Sequence, residues 1–568
     1  KTIKIYFQFS KKIMNKQDII IWDTTQFPCD YPENIKKIYF KCSISNRKSF
    51  SSWIGTANSI FFKDLDWWST AAASRNPYVS NLFHQICIIE TIKKISKFSA
   101  NFKIVVNSPQ LKIILEKILI KKNFQIFINK KEGFLKKYIN IFKSIFFSIF
   151  IFISVRIFTK KRKLDLIKKK KTLIDTFIFN DIKKGERLYK EINEIVKMKK
   201  YEHVFFVPTI VPQKNLLKVF SNIIFLSKKK YIFKEHYLSF YDLIFAFLHF
   251  ARVRKFLVKY KNYKNIDLSK LIIDEIYLFA DYYSIIISLL NLRFAKALRQ
   301  EKIEIKKTIN WFENQTIDKG WNLGFRKYHQ RTLTTGYQGF LYYGQYLNQS
   351  PSKEEEKARV IPQKIFVNSK LFVQPRKEFF KKMNIQVGPA LSYNLNYLNK
   401  KFKKKQNIEV LLILNGIYNL DKKLIKWVAK SLKNINSLNI TIKPHPILPI
   451  TKIDKKFLKK FKNRINLTND RLDNLLKKTK ISICSGPTSG SLESIAYRCY
   501  LICPVFEIYD KINLDIFKIP SKNFKLTYNV DEFSNTIKAL INKKKLFLKT
   551  KKITLERATN TNIKKLIN

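Results

Sequence analysis

Two short apolar runs, each cut off by residues that cannot continue a strand, constrain this chain most. Ile440 to Ile442 read as a buried strand that Pro444 and Pro446 must end, which leaves Lys443 and His445 at the carboxyl end of a sheet. Ile481 to Cys484 repeat the pattern. The small residues Ser485 to Ser491 follow, then a helix whose Leu492, Ile495, Ala496 and Cys499 fall at helical spacing. Strand, polar turn and amphipathic helix, used twice, describe an open parallel α/β sheet, where ligands bind beyond the carboxyl ends of the strands. The hydroxyls and backbone N–H groups of Ser485, Gly486, Thr488, Ser489 and Ser491 would suit a phosphate at such a helix start. Taken singly, the loop also reads as helix capping and His445 as part of a rigid turn.

The alternation extends over the chain. Ile19 to Trp22, Ile38 to Cys42, Phe102 to Val106 and Phe124 to Ile128 are β-rich runs, and Ser108-Pro109 introduces the helical pattern Leu111, Ile114, Leu115, Ile118. His203 to Pro208 and Ile309 to Phe312 are expected as later strands. Long apolar helices between them, within 239–298, give a first α/β domain over 1–347 with a helical insertion. The polar stretch 348–364, with Pro351, Glu354-Glu355-Glu356 and Pro362, reads as an interdomain linker. Beyond it, Lys364 to Val367, Gln386 to Gly388, Val410 to Leu414, Ile440 to Ile442, Ile481 to Cys484 and Leu501 to Val505 predict a second doubly wound domain over 365–568.

With 568 residues, 46% of them hydrophobic and 14% aromatic, the chain can build two or three cores. Its formal charge of +68 invites a nucleic-acid reading. Lysines, however, spread along the entire sequence instead of forming one stripe, so the expectation is a solvated basic surface that attracts anionic membranes and phosphorylated ligands, with no nucleic-acid partner. The cysteines Cys29, Cys42, Cys87, Cys484, Cys499 and Cys503 form no CxxC pair and read as buried thiols of a reducing compartment. The six histidines show no metal-ligand spacing, so no metal site is expected. No secretory signal is read in the opening residues.

Between 134 and 171 the composition shifts. Ser144 to Val155 is uncharged and rich in Ile and Phe, Lys136-Lys137 precede it, and Lys160 to Lys163 and Lys168 to Lys171 follow. The run is short for a membrane span unless Lys143 and Arg156 snorkel, which favours an interfacial anchor over a core helix or a crossing.

Two constellations mark the first domain. Asp64-Leu65-Asp66-Trp67-Trp68 precedes Ser74-Arg75-Asn76-Pro77. Arg75 and Asn76 could bind a phosphate or a sugar carboxylate, or Arg75 could be tied to Asp64 or Asp66, and the tryptophans could stack on sugars or simply pack. Glu313, in Trp311-Phe312-Glu313-Asn314-Gln315 at a strand end, is placed to take a proton from an acceptor hydroxyl, although a bare Glu is more often a structural ion-pair partner. Arg326 and Gln338 follow, and with Asn314 and Gln315 complete the cleft candidates.

The Lys443-Pro444-His445-Pro446 element and the Ser485 to Glu493 loop resemble the carboxyl-terminal domain of GT-B glycosyltransferases, in the branch that includes Kdo, sialic acid and other capsule or lipopolysaccharide sugar transferases. The order Glu313-Asn314-Gln315, Arg326, Tyr337-Gln338, with the Asp-Trp and Ser-Arg-Asn segments, is similar to bacterial surface carbohydrate biosynthesis proteins. Where related transferases show Gln-His-Gly, this chain has Gln338-Gly339. The resemblance implies two Rossmann-like doubly wound domains facing a cleft and no metal or cofactor beyond a nucleotide-sugar, with a CMP-linked donor preferred. It also implies that Lys443, His445 and the Ser485 loop hold the donor phosphate, that Glu493 meets the donor ribose, and that His445 and Glu313 carry the chemistry. The expected function is sugar transfer to a lipid-linked or surface polysaccharide acceptor, by a protein bound to the cytoplasmic face of the plasma membrane. The alternatives are polyol-phosphate transfer of teichoic-acid type and a non-catalytic basic scaffold.

Overall fold

The computed structural model describes residues 19–26, 28–57, 60–97, 101–119, 124–129, 134–164, 169–179, 188–196, 198, 201–213, 215–279, 281–391, 407–445, 448, 450, 454–486, 488–516, 524–543, 555–556 and 558–567. Pro446, Pro487 and Lys168 lie outside them, as do the side chains of Cys29, Lys136 and Lys137.

All strand pairing is parallel, in three sheets. β1 (Ile19–Asp23), β2 (Asn101–Val106) and β3 (Phe124–Ile128) form a three-stranded sheet in that order. β4 (Lys171–Ile178), β5 (Val204–Ile210), β6 (Ile305–Trp311), β7 (Leu333–Gln338), β8 (Lys364–Val367) and β9 (Ile385–Val387) form a six-stranded sheet ordered β5-β4-β6-β7-β8-β9. β10 (Ile408–Ile413), β11 (Ile440–Lys443), β12 (Ile465–Leu467), β13 (Thr479–Cys484), β14 (Tyr500–Pro504) and β15 (Phe524–Thr527) form the second, ordered β12-β11-β10-β13-β14-β15. Each six-stranded order reverses direction once, at β4/β6 and at β10/β13, and opens a crevice at those strand ends. The central strands are buried on both faces, as parallel sheets require: every residue of β5 is buried.

The two doubly wound units match the expected fold class, but several boundaries shift. The runs at 19–22, 102–106 and 124–128 build a separate sheet, which shares one hydrophobic core with part of the first six-stranded unit. Ile38 to Cys42 is helical, inside Glu33–Thr56, where Ile35, Tyr39, Cys42, Asn46, Phe50 and Trp53 form the inward stripe. The expected 239–258 helix is broken into the short helices Phe240–Phe247 and His249–Arg252 and a 3₁₀ turn, and the 271–298 helix divides into Ser269–Ile276 and Tyr282–Gln300.

The stretch 348–364 is no linker. Asn348, Ser350, Ser352, Glu355 and Ile361 are buried, and β8 and β9, expected in the second domain, continue the first sheet through β7. Glu355 explains why so polar a stretch is buried. Its carboxylate meets Arg75 at 2.5 Å and Lys319 at 2.6 Å, accepts from both Asn314 Nδ2 (3.1 Å to each oxygen) and the Ser352 amide (2.8 Å), and all three charged side chains are sealed from solvent. Burial opposes its ionisation, but Arg75 and Lys319 outweigh that and hold the carboxyl down at about 2.

Removing the anion from this network would strand two buried cations. Glu355→Ala is therefore expected to destabilise the protein by about 3–5 kcal/mol, measured by chemical denaturation, whereas Glu356→Ala, which breaks only a partly exposed pair with Arg326, should cost far less. The folded value lies below the ordinary 4.5, so the stabilisation from Glu355 should be complete above pH 4.5 and lost as pH falls through about 2.

Candidate functional site

At the second switch point, β10 ends at Ile413 beside Cys484 of β13, and the loops that follow are tied together. Asn415 Nδ2 donates to the Ser485 carbonyl at 2.9 Å. Asn415 and Gly416 give their amides to Asp421 at 2.9 Å each, in the first turn of Tyr418–Asn434. That helix start is satisfied internally, and burial lifts the Asp421 carboxyl to about 6. Gly416 has φ +86°, and a Cβ there would lie 2.5 Å from His445 Nδ1, so the imidazole packs directly over this backbone. Gly486 has φ +71° and is crowded by Asn415 and Leu420. The structure thus brings His445, Lys443 and the Ser485 loop to one crevice. Lys443 ends β11, half-buried, its ammonium weakened by burial and supported by Asp470.

What this loop offers a ligand is hydroxyls more than free amides. Gly490 N donates to Thr488 Oγ1 (3.2 Å), Thr488 N to the Gly486 carbonyl (3.0 Å), and Ser489 Oγ to Glu493 Oε1 (2.8 Å). The helix Gly490–Ala496 has only seven residues, which leaves a weaker dipole than the sequence reading assumed. Ser491 is buried, with its hydroxyl bonded to the Cys484 thiol, and so faces away from the crevice. Ser485 Oγ is buried and has no hydrogen-bond partner among the described residues.

At the first switch point the ends of β4, β5 and β6 enclose a cavity of about 290 Å³. Glu313 and Gln315 line it, and Glu313 Oε1 accepts the Trp311 indole N–H at 2.8 Å. Asp318, which the sequence did not single out, forms part of the wall. It accepts from Asn310 Nδ2 at 3.0 Å and the Gln315 amide at 2.9 Å. Burial, reinforced by Asp175 and Glu313, pushes its carboxyl up to about 8.

The other predicted residues are structural. Arg75 and Asn314 belong to the Glu355 network, both with left-handed backbone (φ 54° and 57°), so Arg75 neither faces a ligand nor pairs with Asp64 or Asp66. Asp66 instead binds His249 at 2.7 Å and Arg252 at 2.8 Å. Asn76 is buried and donates to Gln315 Oε1 at 3.2 Å. Arg326 pairs with Glu356 at 2.8 Å, and Gln338 is buried and donates to the Gln349 carbonyl. Trp67 and Trp68 are core residues. Among the described residues no three His, Cys, Asp or Glu side chains are grouped to hold a metal ion, and the five described cysteines are buried free thiols.

The two units meet between these crevices. Gly344 N, beyond β7, donates to Asn513 Oδ1 at 2.9 Å, and Ser43 meets Tyr509 at 2.9 Å. Glu507 and Asp510, beyond β14, lie at this junction, and Tyr346 feels both Glu313 and Glu507. Burial, with Asp510 adding repulsion, pushes Glu507 to about 8. Burial lifts Asp510 to about 6 although the amides of Glu507, Phe506 and Gly486 bond to it.

No family model and no curated protein matches the chain. Solved structures similar to it include the GtfA/B complex, at 10% identity over 66% of this chain and 93% of that chain with a TM-score of 0.39. The S. aureus MnaA-UDP structure follows at 12% identity, 66% and 89% coverage and TM-score 0.37, and a glycosyltransferase from Rickettsia africae at 14%, 66%, 88% and 0.36. The fold assignment rests on this chain's own strand order and not on likenesses this distant.

Two raised carboxyls at the junction set a pH response. The folded state holds protons that the unfolded chain releases, so stability from this region should be highest below about pH 4 and fall as pH rises toward 8. Glu507→Gln should flatten that decline and raise the melting temperature at pH 8. An unchanged pH profile would remove Glu507 from the junction's electrostatics.

Proposed function

We propose that this protein is a metal-independent glycosyltransferase that moves a sugar from a nucleotide-sugar donor, CMP-linked by preference, to a lipid-linked or surface polysaccharide acceptor. One observation carries the reading. Two doubly wound sheets meet through the loops at their carboxyl ends, one switch point bearing His445, Lys443 and a hydroxyl-rich loop, the other an aromatic cavity bearing Glu313. In this mechanism the donor phosphate binds His445, Lys443 and the hydroxyls of Thr488 and Ser489. Glu493, already holding Ser489, meets the ribose. Glu313 takes the proton from the acceptor hydroxyl as it attacks the donor's anomeric carbon, and His445 and Lys443 offset the charge left on the departing phosphate. No cofactor beyond the donor is needed.

The split between the two crevices gives the test. His445→Ala should weaken nucleotide binding and lower turnover together, since its contact exists in both ground and transition states. Glu313→Gln preserves shape and should leave nucleotide affinity unchanged while turnover drops about a hundredfold or more. Full activity in Glu313→Gln, or unaltered nucleotide protection in His445→Ala on a thermal-shift panel of CMP, CDP, UDP, GDP and dTDP, would overturn the assignment.

Peripheral attachment to the inner face of the plasma membrane belongs to the same proposal. The apolar run is longer than its uncharged centre, for the helix spans Phe134–Phe158, and Tyr138–Phe158 is long and apolar enough to cross a bilayer by length and composition. Phe147, Ile151, Phe152 and Val155 are buried, with Phe147 against Tyr283 at 5.4 Å, while Phe142, Phe146 and Ile157 are each more than 60% exposed. One face packed on protein and one apolar face open favours lying in the interface. Arg156 is not free to snorkel, since it donates to the Glu235 and Leu238 carbonyls. Replacing Phe142, Phe146, Ile153 and Ile157 by Ser should release the protein from phosphatidylglycerol vesicles without loss of nucleotide binding, and salt alone should weaken attachment only in part. Phe147→Ser should instead destabilise the fold.

A further inference from the structure

A chain with 110 basic and 42 acidic residues would be expected to line an opening mostly with lysine. The cavity at the first switch point does the reverse. Its charged lining consists of Asp281, Glu313 and Asp318, and among the described residues no Lys, Arg or His side chain lines it. Phe177, Phe179, Tyr283 and Trp311 supply aromatic wall, with Phe177 and Phe179 6.1 Å apart and tilted. Glu313 fixes Trp311 through the indole N–H, leaving its second carboxylate oxygen as an acceptor. Asp281 sits at the exposed rim, where it caps the Tyr282–Gln300 helix through Ser284.

Two described, buried cations close to the lining in structure or sequence are directed elsewhere. Lys234 donates to Thr209 Oγ1 at 3.0 Å and Asn291 Oδ1 at 2.9 Å and lies in the field of Asp175 and Glu235, behind the wall. Lys319, also close in sequence to Asp318, is held by Glu355 and Asn314. Among the described residues, a ligand in the cavity therefore meets aromatic faces and groups that accept hydrogen bonds, without a counter-charge for an anion.

We infer that this cavity takes the ring of an uncharged or amino sugar and rejects acid sugars and phosphorylated sugars. A pyranose ring has C–H edges that pack on aromatic faces and hydroxyls that donate to carboxylates, so both halves of the lining are used. A carboxylate or phosphate on the same ring would stand beside Glu313 and Asp281 in a partly dry site, where like charges repel strongly. An ammonium at that position is attracted. Burial, with Asp175 and Glu313, lifts Asp318 to about 8, so near neutral pH this carboxyl is largely uncharged and the negative charge of the lining is that of Glu313 and Asp281. The inference rests on the transferase reading only for the name of the site, an acceptor subsite. Its chemistry stands on the lining.

The test uses the full chain and ligand-observed NMR titrations with methyl glucoside, methyl glucosaminide and methyl glucuronide, without donor. The neutral and amino glycosides should bind, and the glucuronide at least about tenfold more weakly. In the double variant Glu313→Gln/Asp281→Asn, which keeps the Trp311 contact and the helix cap, that discrimination should shrink to about threefold or less. Glucuronide binding equal to or tighter than glucoside, discrimination unchanged in the double variant, or no binding of either favoured glycoside would each overturn the inference. Nucleotide protection is read separately: its absence alongside intact sugar selectivity would sink the transferase reading and leave the cavity's specificity standing.

Discussion

The buried carboxylate of Glu355 ties together three parts of the chain that are far apart in sequence. Arg75 comes from the loop after Trp67-Trp68, Lys319 from the helix after β6, and Glu355 from the segment between β7 and β8. Two charges near one anion in a dry interior recover the desolvation cost only if nearly every lone pair is used, and here Asn314 and the Ser352 amide complete the set. The consequence reaches the cavity. Asn314 is bound to Glu355 and Lys319, and Asn348 Nδ2 donates to the Glu313 carbonyl at 2.8 Å, so the backbone carrying Glu313 is clamped on both sides. Left-handed conformations at Arg75 and Asn314 persist because this network fixes them.

The strands of the second switch point were legible because each is an Ile-rich run with a hard stop: Ile440 to Ile442 before Pro444, Ile481 to Cys484 before Ser485-Gly486. β4 was not, since it begins inside the lysine run 168–171, and nothing local reveals that the Lys171 side chain is buried. The Glu33–Thr56 helix carried a helical stripe, but over a short window Ile38 to Cys42 looks like a strand. The error at 348–364 has a different origin. Composition measures polarity, and Glu354-Glu355-Glu356 is polar, yet Glu355 turns inward to two cations that lie far away in sequence. Paired charge is invisible to any local pattern.

The same limit divides the candidate site. His445 and the Ser485 loop could be found because strand-end position is a local property, and parallel pairing of β10 with both β11 and β13 then brings them together. Arg75, Asn314, Arg326 and Gln338 were chosen for chemistry that suits a ligand equally with a protein partner, and in each case a protein partner is present. Asp318 and Glu507 were passed over since single acids carry no motif. The desolvation that raises both carboxyls arises only from the fold.

Two crevices on separate sheets impose a condition on any reaction between them. A donor bound by residues of β10, β11 and β13 and an acceptor bound at the ends of β4, β5 and β6 share no strand, so their relative position depends on the contacts where the units meet. Those contacts are partly polar, Gly344 and Gln345 with Asn513 and Ser43 and Arg47 with Tyr509, and partly apolar, since one hydrophobic core joins Phe312, Leu341, Ile365 and Val367 to Leu411, Ile413, Cys484 and Leu501. Glu507 and Asp510 stand at that seam with carboxyls raised by burial, and separating the units would hydrate them and lower both values toward the ordinary range.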